Sequence, residues 1–244
     1  MTGSGLRIGM WSGPRNISTA LMRSWDSRPG TYVTDEPLYA HYLHATGTAH
    51  PARELVLADQ ERDWRRVVEW LTGPIPEGNT VWYQKHMAHH LTPDVERVWI
   101  HQLSNCFLIR EPREMITSYI KIVPDPTPYD LALPQQVELF EAIRSTEGKA
   151  PPVIDSRDVL EDPERILTLL CRELGVAYDA AMLEWPRGLR PSDGVWAPHW
   201  YATVAETTTF GPYRPKEEDV PADLEPVRRE CEDYYQLLHR HRLH

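Results

Sequence analysis

Short apolar segments that end in turn residues alternate with helical hydrophobic patterns along this chain. Leu6–Trp11 is followed by Ser12-Gly13-Pro14, and apolar residues then recur at helical spacing until Arg28-Pro29-Gly30. Such alternation is typical of βα units, because parallel strands need a long crossover connection that is usually a helix. The sequence therefore predicts an α/β fold of three layers, a central parallel sheet flanked by helices, with ligands bound at the carboxyl ends of the strands.

The same pattern continues further along the chain. It predicts strands at Thr31–Thr34, Thr80–Tyr83, Cys106–Ile109 and Pro152–Ile154, and helices at Arg53–Leu71, Pro112–Ile120, Pro163–Leu174 and Leu224–Leu238. Asp162 suits the N-cap of the third of these helices, and Gly175 suits its end. At 244 residues, the chain has the length of one large domain over residues 1–244.

Charge and composition exclude several classes of protein. The 26 Lys and Arg residues against 36 Asp and Glu residues give a formal net charge of −10. An acidic surface repels the phosphates of DNA, so nucleic acid is not an expected partner, although a local basic pocket can bind a small anion. No apolar run approaches the roughly 20 residues of a membrane span, and Met1–Arg7 lacks a signal-peptide core. We therefore expect a cytoplasmic protein that does not enter a membrane.

Neither a disulfide framework nor a metal site is expected. The three cysteines are odd in number and contain no C-x-x-C pair. The histidines between residues 86 and 90 have no acidic or cysteine partner at the spacing of metal ligands. The chemistry of the chain is therefore expected to use side chains and backbone groups without a metal ion.

The first candidate site is the loop between the first strand and the first helix, which consists of Gly13, Pro14, Arg15, Asn16, Ile17, Ser18 and Thr19. Backbone N–H groups at a helix amino terminus bind anions, and Arg15, Ser18 and Thr19 add side-chain donors. The loop is not a Walker loop, because Ser18 and Thr19 stand where that pattern needs Gly and Lys. By itself the loop is equally compatible with an ordinary strand-to-helix turn.

A second segment, around Arg110, helps to interpret this loop. Arg110 directly follows the strand Cys106–Ile109, and Ser118 lies eight residues further on the next helix. This arrangement resembles the 3′-phosphate-binding segment of sulfotransferases that use 3′-phosphoadenosine 5′-phosphosulfate (PAPS), and the loop at Gly13 resembles their 5′-phosphosulfate loop. The resemblance implies a P-loop-like fold, PAPS as donor, PAP as product and no metal. The alternative for Arg110 is a solvated charge paired with Glu114.

Later segments extend the resemblance. Arg187-Gly188 is similar to the Arg/Lys-Gly pair that helps the family to bind the 3′-phosphate, and Trp196 lies in a segment that resembles its Gly-x-Trp motif near the nucleotide. Two departures are visible: Asn16-Ile17 stands where the family usually has Ser-Gly, and Ala20 stands where an aromatic residue often stacks on adenine. Trp196 or Trp25 is the candidate to replace that aromatic residue.

A proton acceptor for the acceptor hydroxyl is also implied. In the branch of the family whose loop reads Pro-Arg, which includes the tyrosylprotein sulfotransferases, a glutamate lies twenty-one residues beyond the loop arginine, and Arg15 and Glu36 have this separation. His86 competes, because Lys85-His86-Met87 resembles the Lys-x-His-Leu region of cytosolic sulfotransferases. Lys85 would neutralise the leaving phosphate or a sulfuryl oxygen. We favour Glu36 as the base over His86, and over a surface turn before Pro37.

Taken together, the resemblance implies an enzyme that transfers a sulfuryl group from PAPS to a hydroxyl or amine of a small-molecule acceptor. Transfer would be direct and in-line, with Arg15 stabilising charge on the sulfuryl group. Two alternatives are a catalytically silent PAP-binding module and a P-loop kinase, the latter opposed by the missing Walker lysine. The sequence names neither the acceptor nor the oligomeric state.

Overall fold

A computed structural model describes residues 5–244 of the chain. Within these residues, five strands form one sheet in which every neighbouring pair is parallel, in the order β2-β3-β1-β4-β5. The strands are β1 Leu6–Ser12, β2 Thr31–Asp35, β3 Val81–Met87, β4 Ser104–Ile109 and β5 Val153–Asp155. The predicted central parallel sheet is confirmed.

Helices connect and flank these strands. They are α1 Ser18–Ser27, α2 Tyr39–Thr46, α3 Arg53–Asp59, α4 Trp64–Thr72, α5 Pro112–Tyr119, α6 Leu133–Glu147, α7 Ser156–Glu161, α8 Pro163–Leu174, α9 Ala197–Trp200, α10 Ala202–Ala205 and α11 Glu225–His239. Turns of 3-10 helix lie at Ala88–His90, Val98–Gln102, Ala180–Leu183 and Ala222–Leu224. Of the helices in residues 5–244, none has both the length and the apolar composition to cross a membrane.

Both faces of the sheet are buried, as the apolar composition of β4 predicts. Cys106 and Leu108 pack into one hydrophobic cluster with α1 and α8, whereas Phe107 and Ile109 pack into another with α4, α5, α6 and α11. Successive side chains of a strand point to opposite faces, so a strand covered on both sides must be apolar throughout. This packing produces the three predicted layers.

Several helical regions differ from the prediction, which assigned no helix to the short helices α2, α7, α9 and α10. The helix expected at Arg53–Leu71 is two helices, because the Asp63 side chain accepts a hydrogen bond from Arg65 N at 3.0 Å and begins α4 as a new helix. Helix α6 was not predicted. It starts after Ala132, a residue with φ of 62°, and has Pro134 in its first turn, whereas the sequence analysis assigned no helix to this stretch.

The carboxyl ends of the strands position the site. Residues at or just beyond the ends of four strands line one cavity of about 400 Å³: Pro14 after β1, Glu36 after β2, Lys85 in β3 and Arg110 after β4. This is the edge at which an open parallel sheet binds ligands, because the loops that follow the strands converge there.

Candidate active site

The loop from Gly13 to Thr19, here called the phosphate loop, has an anion-binding conformation. Arg15 has φ of 64° and Ile17 has φ of 57°, whereas Asn16 between them has no positive φ. Alternation of this kind turns successive N–H groups toward the same side. Ile17 is also the N-cap of α1 and makes no side-chain cap, so the first N–H groups of the helix have no such partner.

Buried contacts fix the phosphate loop to the neighbouring strands. Asn16 Nδ2 donates to Leu108 O at 3.2 Å, and the Ser156 hydroxyl donates to Asn16 O at 3.1 Å. Gly13 packs so closely that a Cβ atom there would lie 2.4 Å from Leu131 O. Glycine is therefore the residue that fits this close approach to Leu131.

Two arginines converge on the phosphate loop. Arg15 Nε donates to the Ser118 hydroxyl at 2.9 Å, and Arg110 donates to Arg15 O at 2.7 Å. Arg110 also forms the alternative pair with Glu114, at 2.7 Å, so the ion pair and the position beside the loop coexist. Burial, and then the charge of Arg110, lower the pKa of Arg15. Within residues 5–244, no carboxylate lies within 4.0 Å of Arg15.

A third cation that the sequence analysis missed, Lys216, lies close enough to Arg110 for their charges to interact. Lys216 Nζ donates to Glu114 O at 3.0 Å, and burial followed by the charge of Arg110 lowers its pKa to about 8. The sequence signal for this cation was the basic stretch Tyr213–Lys216. Like charges held close together repel one another, and a bound anion would stabilise them.

Glu36 lies in the same cavity, at the turn after β2. Its φ of 42° is in the left-handed region, which is rarely adopted by residues other than glycine, and its N–H donates to Lys85 O at 2.9 Å. Strained backbone of this kind is common at functional sites. The surface turn that was the alternative for Glu36 is not observed, because the residue is buried.

A network of hydrogen bonds surrounds the Glu36 carboxylate. The ammonium group of the fully buried Lys85 lies 2.7 Å from Asp35 Oδ1, 2.5 Å from Glu36 Oε1 and 2.9 Å from the hydroxyl of Tyr201. Burial raises the pKa of Glu36, and the charge of Lys85 opposes this rise without cancelling it. Burial alone would lower the pKa of Lys85, but the two carboxylates raise it above its ordinary value.

His86 does not line this cavity. The strand β3 extends to Met87, so Lys85 and Met87 face the cavity while His86 points to the other side of the sheet. Its ring stacks on Trp11 with the ring centroids 4.4 Å apart, and burial together with the charge of Lys85 lowers its pKa to about 3. The structure therefore gives His86 no position from which to accept a proton in the cavity.

The family of the chain follows from a comparison with known proteins. The model of the sulfotransferase domain family matches residues 6–231. The chain belongs to the sulfotransferase domain family. Two curated proteins of Arabidopsis thaliana are similar to it, the branched-chain-amino-acid aminotransferase-like proteins 1 and 2, at 34% and 32% identity over 238 residues. The matches cover 97% of this chain and 42% of each relative, so the chain spans less than half the length of these relatives.

Solved structures of sulfotransferases have the same fold. The sulfotransferase domain of the Synechococcus PCC 7002 olefin synthase superposes with a TM-score of 0.56 at 18% identity, over 97% of both chains. The sulfotransferase domain of the curacin biosynthetic pathway superposes with a TM-score of 0.52 at 16% identity, over 96% of this chain and 98% of that one. A sulfotransferase from Alicyclobacillus acidocaldarius superposes with a TM-score of 0.55 at 11% identity, over 98% of this chain and 97% of that one. At such identities the likeness establishes the fold.

Arg187 and Gly188 lie away from the cavity in this sulfotransferase domain. The Arg187 side chain is 67% exposed and lies 3.6 Å from Glu206, and Gly188 O accepts a hydrogen bond from Arg23 at 2.8 Å. This stretch is bound to α1 by the buried ion pair of Arg23 and Asp193. It supports the fold, whereas the cation beside Arg110 comes from Lys216.

The Gly-x-Trp motif of the sulfotransferase domain has a steric cause. A Cβ atom on Gly194 would lie 2.1 Å from the Trp196 ring, so glycine allows the ring to fold back over the backbone. Trp196 lines the cavity beside Glu36, with its ring edge-on to Tyr39 at 5.1 Å. Trp25 does not line the cavity. It is stacked on Tyr83 in the core, with ring centroids 5.3 Å apart.

The cavity of the sulfotransferase domain thus has two apolar ends. Near the phosphate loop, Ile17, Ala20, Leu160 and Phe210 belong to the cluster on the α1 side of the sheet. Near Glu36, Tyr39, Trp196 and Tyr201 form a separate cluster with α2. Among residues 5–244, no three His, Cys, Asp or Glu side chains are arranged to hold a metal ion.

Proposed function

We propose that this domain transfers the sulfuryl group of PAPS to a hydroxyl, or an amine, of a small-molecule acceptor. The observation that supports this is that one cavity is lined both by the loop Gly13–Thr19 and by the carboxylate of Glu36. A cavity of about 400 Å³ has the size of a site for small molecules.

The donor groups around the phosphate loop fit a nucleotide with two separate phosphates. Arg15, the loop N–H groups and the first turn of α1 can bind the phosphosulfate. Arg110, Ser118 and Lys216 can bind the 3′-phosphate, for which a guanidinium is well suited. Arg15 and Lys216 both have lowered pKa values, first through burial and then through the charge of Arg110, and a dianion would relieve that repulsion.

The adenine base then belongs at the apolar end formed by Ile17, Ala20, Leu160 and Phe210. Phe210 supplies an aromatic ring there, although Ala20 cannot. Trp196, by contrast, lies beside Tyr39 and Glu36. We therefore assign Phe210 to the base and Trp196 to the acceptor.

Glu36 has one carboxylate oxygen available for a proton. Oε1 accepts from Lys85, whereas Oε2 has no hydrogen bond within residues 5–244 and lies 4.0 Å from His90 Nε2. PAPS supplies an activated sulfuryl group when it is bound. Arg15 and the loop N–H groups then stabilise negative charge on the leaving side, and Glu36 takes the proton of the acceptor at Oε2.

Calorimetric titration with PAP, ADP and ATP tests the nucleotide part of the proposal. We expect PAP to bind at least about tenfold more tightly than ADP, because a hydrogen bond to a charged group is worth about 1.5–3 kcal/mol. Equal affinity for PAP and ADP would contradict a 3′-phosphate site. Preference for ATP would support a kinase instead.

Transfer from labelled PAPS to a panel of phenols, aliphatic alcohols and amines tests the reaction. Glu36→Gln should lower the transfer rate by about 10²–10⁴-fold while PAP affinity stays the same. The matched control is Glu173→Gln, which changes a carboxylate of the same type on α8, where it pairs with Lys149. PAP binding without transfer to any member of the panel would support the silent binding module.

A further inference from the structure

The hydroxyl of Tyr201 lies at the centre of the network around Glu36. It is 2.7 Å from Asp35 Oδ2, 2.9 Å from Lys85 Nζ and 3.0 Å from Trp196 Nε1. A phenol has one hydrogen to donate and two lone pairs to accept with. Lys and Trp can only donate, so Tyr201 accepts from both and donates to Asp35. All its hydrogen-bonding capacity is used within the protein.

Lys85 is saturated in the same way. An ammonium group has three N–H groups, and here they meet Asp35 Oδ1, Glu36 Oε1 and the Tyr201 oxygen. No N–H group is left for a sulfuryl oxygen or a leaving phosphate, the role that the sequence resemblance implied for Lys85. Its ammonium instead holds one oxygen of Glu36 and leaves Oε2 free.

We propose that Tyr201 is a positioning residue that fixes Lys85 between Asp35 and Glu36, and thereby favours the charged form of the Glu36 carboxylate with Oε2 free to accept a proton. The inference rests on the proposed role of Glu36 as the base. Without the hydroxyl, one N–H group of Lys85 loses its acceptor and Asp35 loses a donor. The ammonium would then move toward Asp35, and Glu36 would lose part of its stabilisation.

The direction of the effect follows from all groups that face Glu36. Lys85 and the Tyr201 hydroxyl lower its pKa, whereas burial and Asp35 raise it. The remaining neighbours are His90, whose pKa burial keeps well below its ordinary value, and the buried Tyr39 and Tyr119, whose pKa values are raised, so all three are uncharged at neutral pH. Removing the hydroxyl therefore raises the pKa of Glu36.

Tyr201 comes from a part of the chain far from the other members of the network. It lies between α9 and α10, in the segment Gly194–Pro212 that also lines the cavity. Gly194 N of the same segment donates to Asp35 Oδ2 at 3.2 Å. The segment that covers the cavity thus also completes the surroundings of the base.

A titration of the Glu36 carboxyl carbon by ¹³C NMR tests the proposal without any acceptor. The full chain is labelled at glutamate carboxyl carbons, and the Glu36 signal is assigned by its loss in Glu36→Gln. In Tyr201→Phe the midpoint should rise by roughly one pH unit, the size of a lost hydrogen bond to a charged group, with PAP affinity unchanged. Tyr201→Met is a second hydroxyl-free variant should the first bind no PAP.

The control is Tyr83→Phe, which removes a buried hydroxyl that has no hydrogen-bond partner within residues 5–244 and should leave the midpoint unchanged. An unshifted midpoint in both Tyr201 variants would overturn the positioning role, whatever Glu36→Gln does to transfer. Normal transfer by Glu36→Gln would instead overturn the proposed base. A raised midpoint, together with slower transfer at pH values below that midpoint, would support both the positioning role of Tyr201 and the role of Glu36 as the base.

Discussion

The buried ammonium of Lys85 makes a strong prediction about stability. Lys85→Met keeps the length and apolar character of the side chain but removes its charge. Asp35 and Glu36 would then face each other in a buried site without a counter-ion, since Lys85 is the cation that lies 2.7 Å and 2.5 Å from them. The hydroxyl of Tyr201 and the N–H of Gly194 would still donate to Asp35, but neither carries a charge.

The magnitude follows from the burial. The Lys85 side chain is 0% exposed, and removing one partner from a buried ion pair costs about 3–5 kcal/mol, because the remaining charge is left uncompensated. A domain of ordinary stability has about 5–15 kcal/mol of unfolding free energy. Lys85→Met should therefore remove a large part of it at neutral pH.

The loss should also depend on pH in a defined direction. Without Lys85, the pKa of Glu36 rises further above its ordinary value of 4.5, so the folded state holds a proton that the unfolded state has released. The free energy of unfolding then falls as pH rises from about 4.5 toward the folded-state pKa. Lys85→Met should be less destabilised at pH 5 than at pH 7.5.

Urea unfolding at both pH values measures these effects. The matched control is Lys149→Met, in which the lost ion pair with Glu173, at 3.1 Å, involves a lysine side chain that is 69% exposed. Such a pair contributes at most about 1 kcal/mol. If Lys85→Met costs no more than Lys149→Met, or costs the same at pH 5 and pH 7.5, the reasoning about the buried network is refuted.

Two further predictions concern stability and nucleotide binding. Burial raises the pKa of Asp155 to about 6 from its ordinary 3.8, so the fold loses stability as pH rises from 3.8 to 6 and the side chain becomes charged. In urea unfolding, Asp155→Asn should be more stable than wild type by up to about 3 kcal/mol at pH 7 and similar to it at pH 4. A difference that does not depend on pH would contradict this. Lys216→Ala should weaken PAP binding about tenfold whereas Arg187→Ala should change it less than about twofold, measured by calorimetry. A larger loss of PAP affinity in Arg187→Ala than in Lys216→Ala would indicate that Arg187 binds the 3′-phosphate.

Local patterns in the sequence were sufficient for much of the architecture. Alternating apolar segments predict the five parallel strands, and Asp162, Pro163 and Gly175 mark both ends of α8. These signals are local, because a cap, a first-turn proline or a terminal glycine acts on its own helix. The errors are one predicted helix that is two, and the helices α2, α6, α7, α9 and α10, which were not predicted.

Strand β3 shows how an error in a predicted strand boundary affects the assignment of site residues. The predicted strand ended at Tyr83, which left Lys85 and His86 in a loop where either could face the site. The observed strand continues to Met87, and side chains alternate along it, so Lys85 points to the cavity and His86 to the opposite core. Extending the strand by a few residues would have separated these two candidates.

The sequence by itself determined the sulfotransferase family and the parallel sheet, because these depend on short ordered motifs and local apolar patterns. Only the tertiary structure decided which side chains complete the site. Tyr201 meets Asp35 across 166 residues of chain, and Arg110 meets the loop across 95. Contacts at such separations are set by the packing of whole elements on the sheet, which determines whether Arg187 or Lys216 lies beside Arg110 and which hydroxyl saturates Lys85.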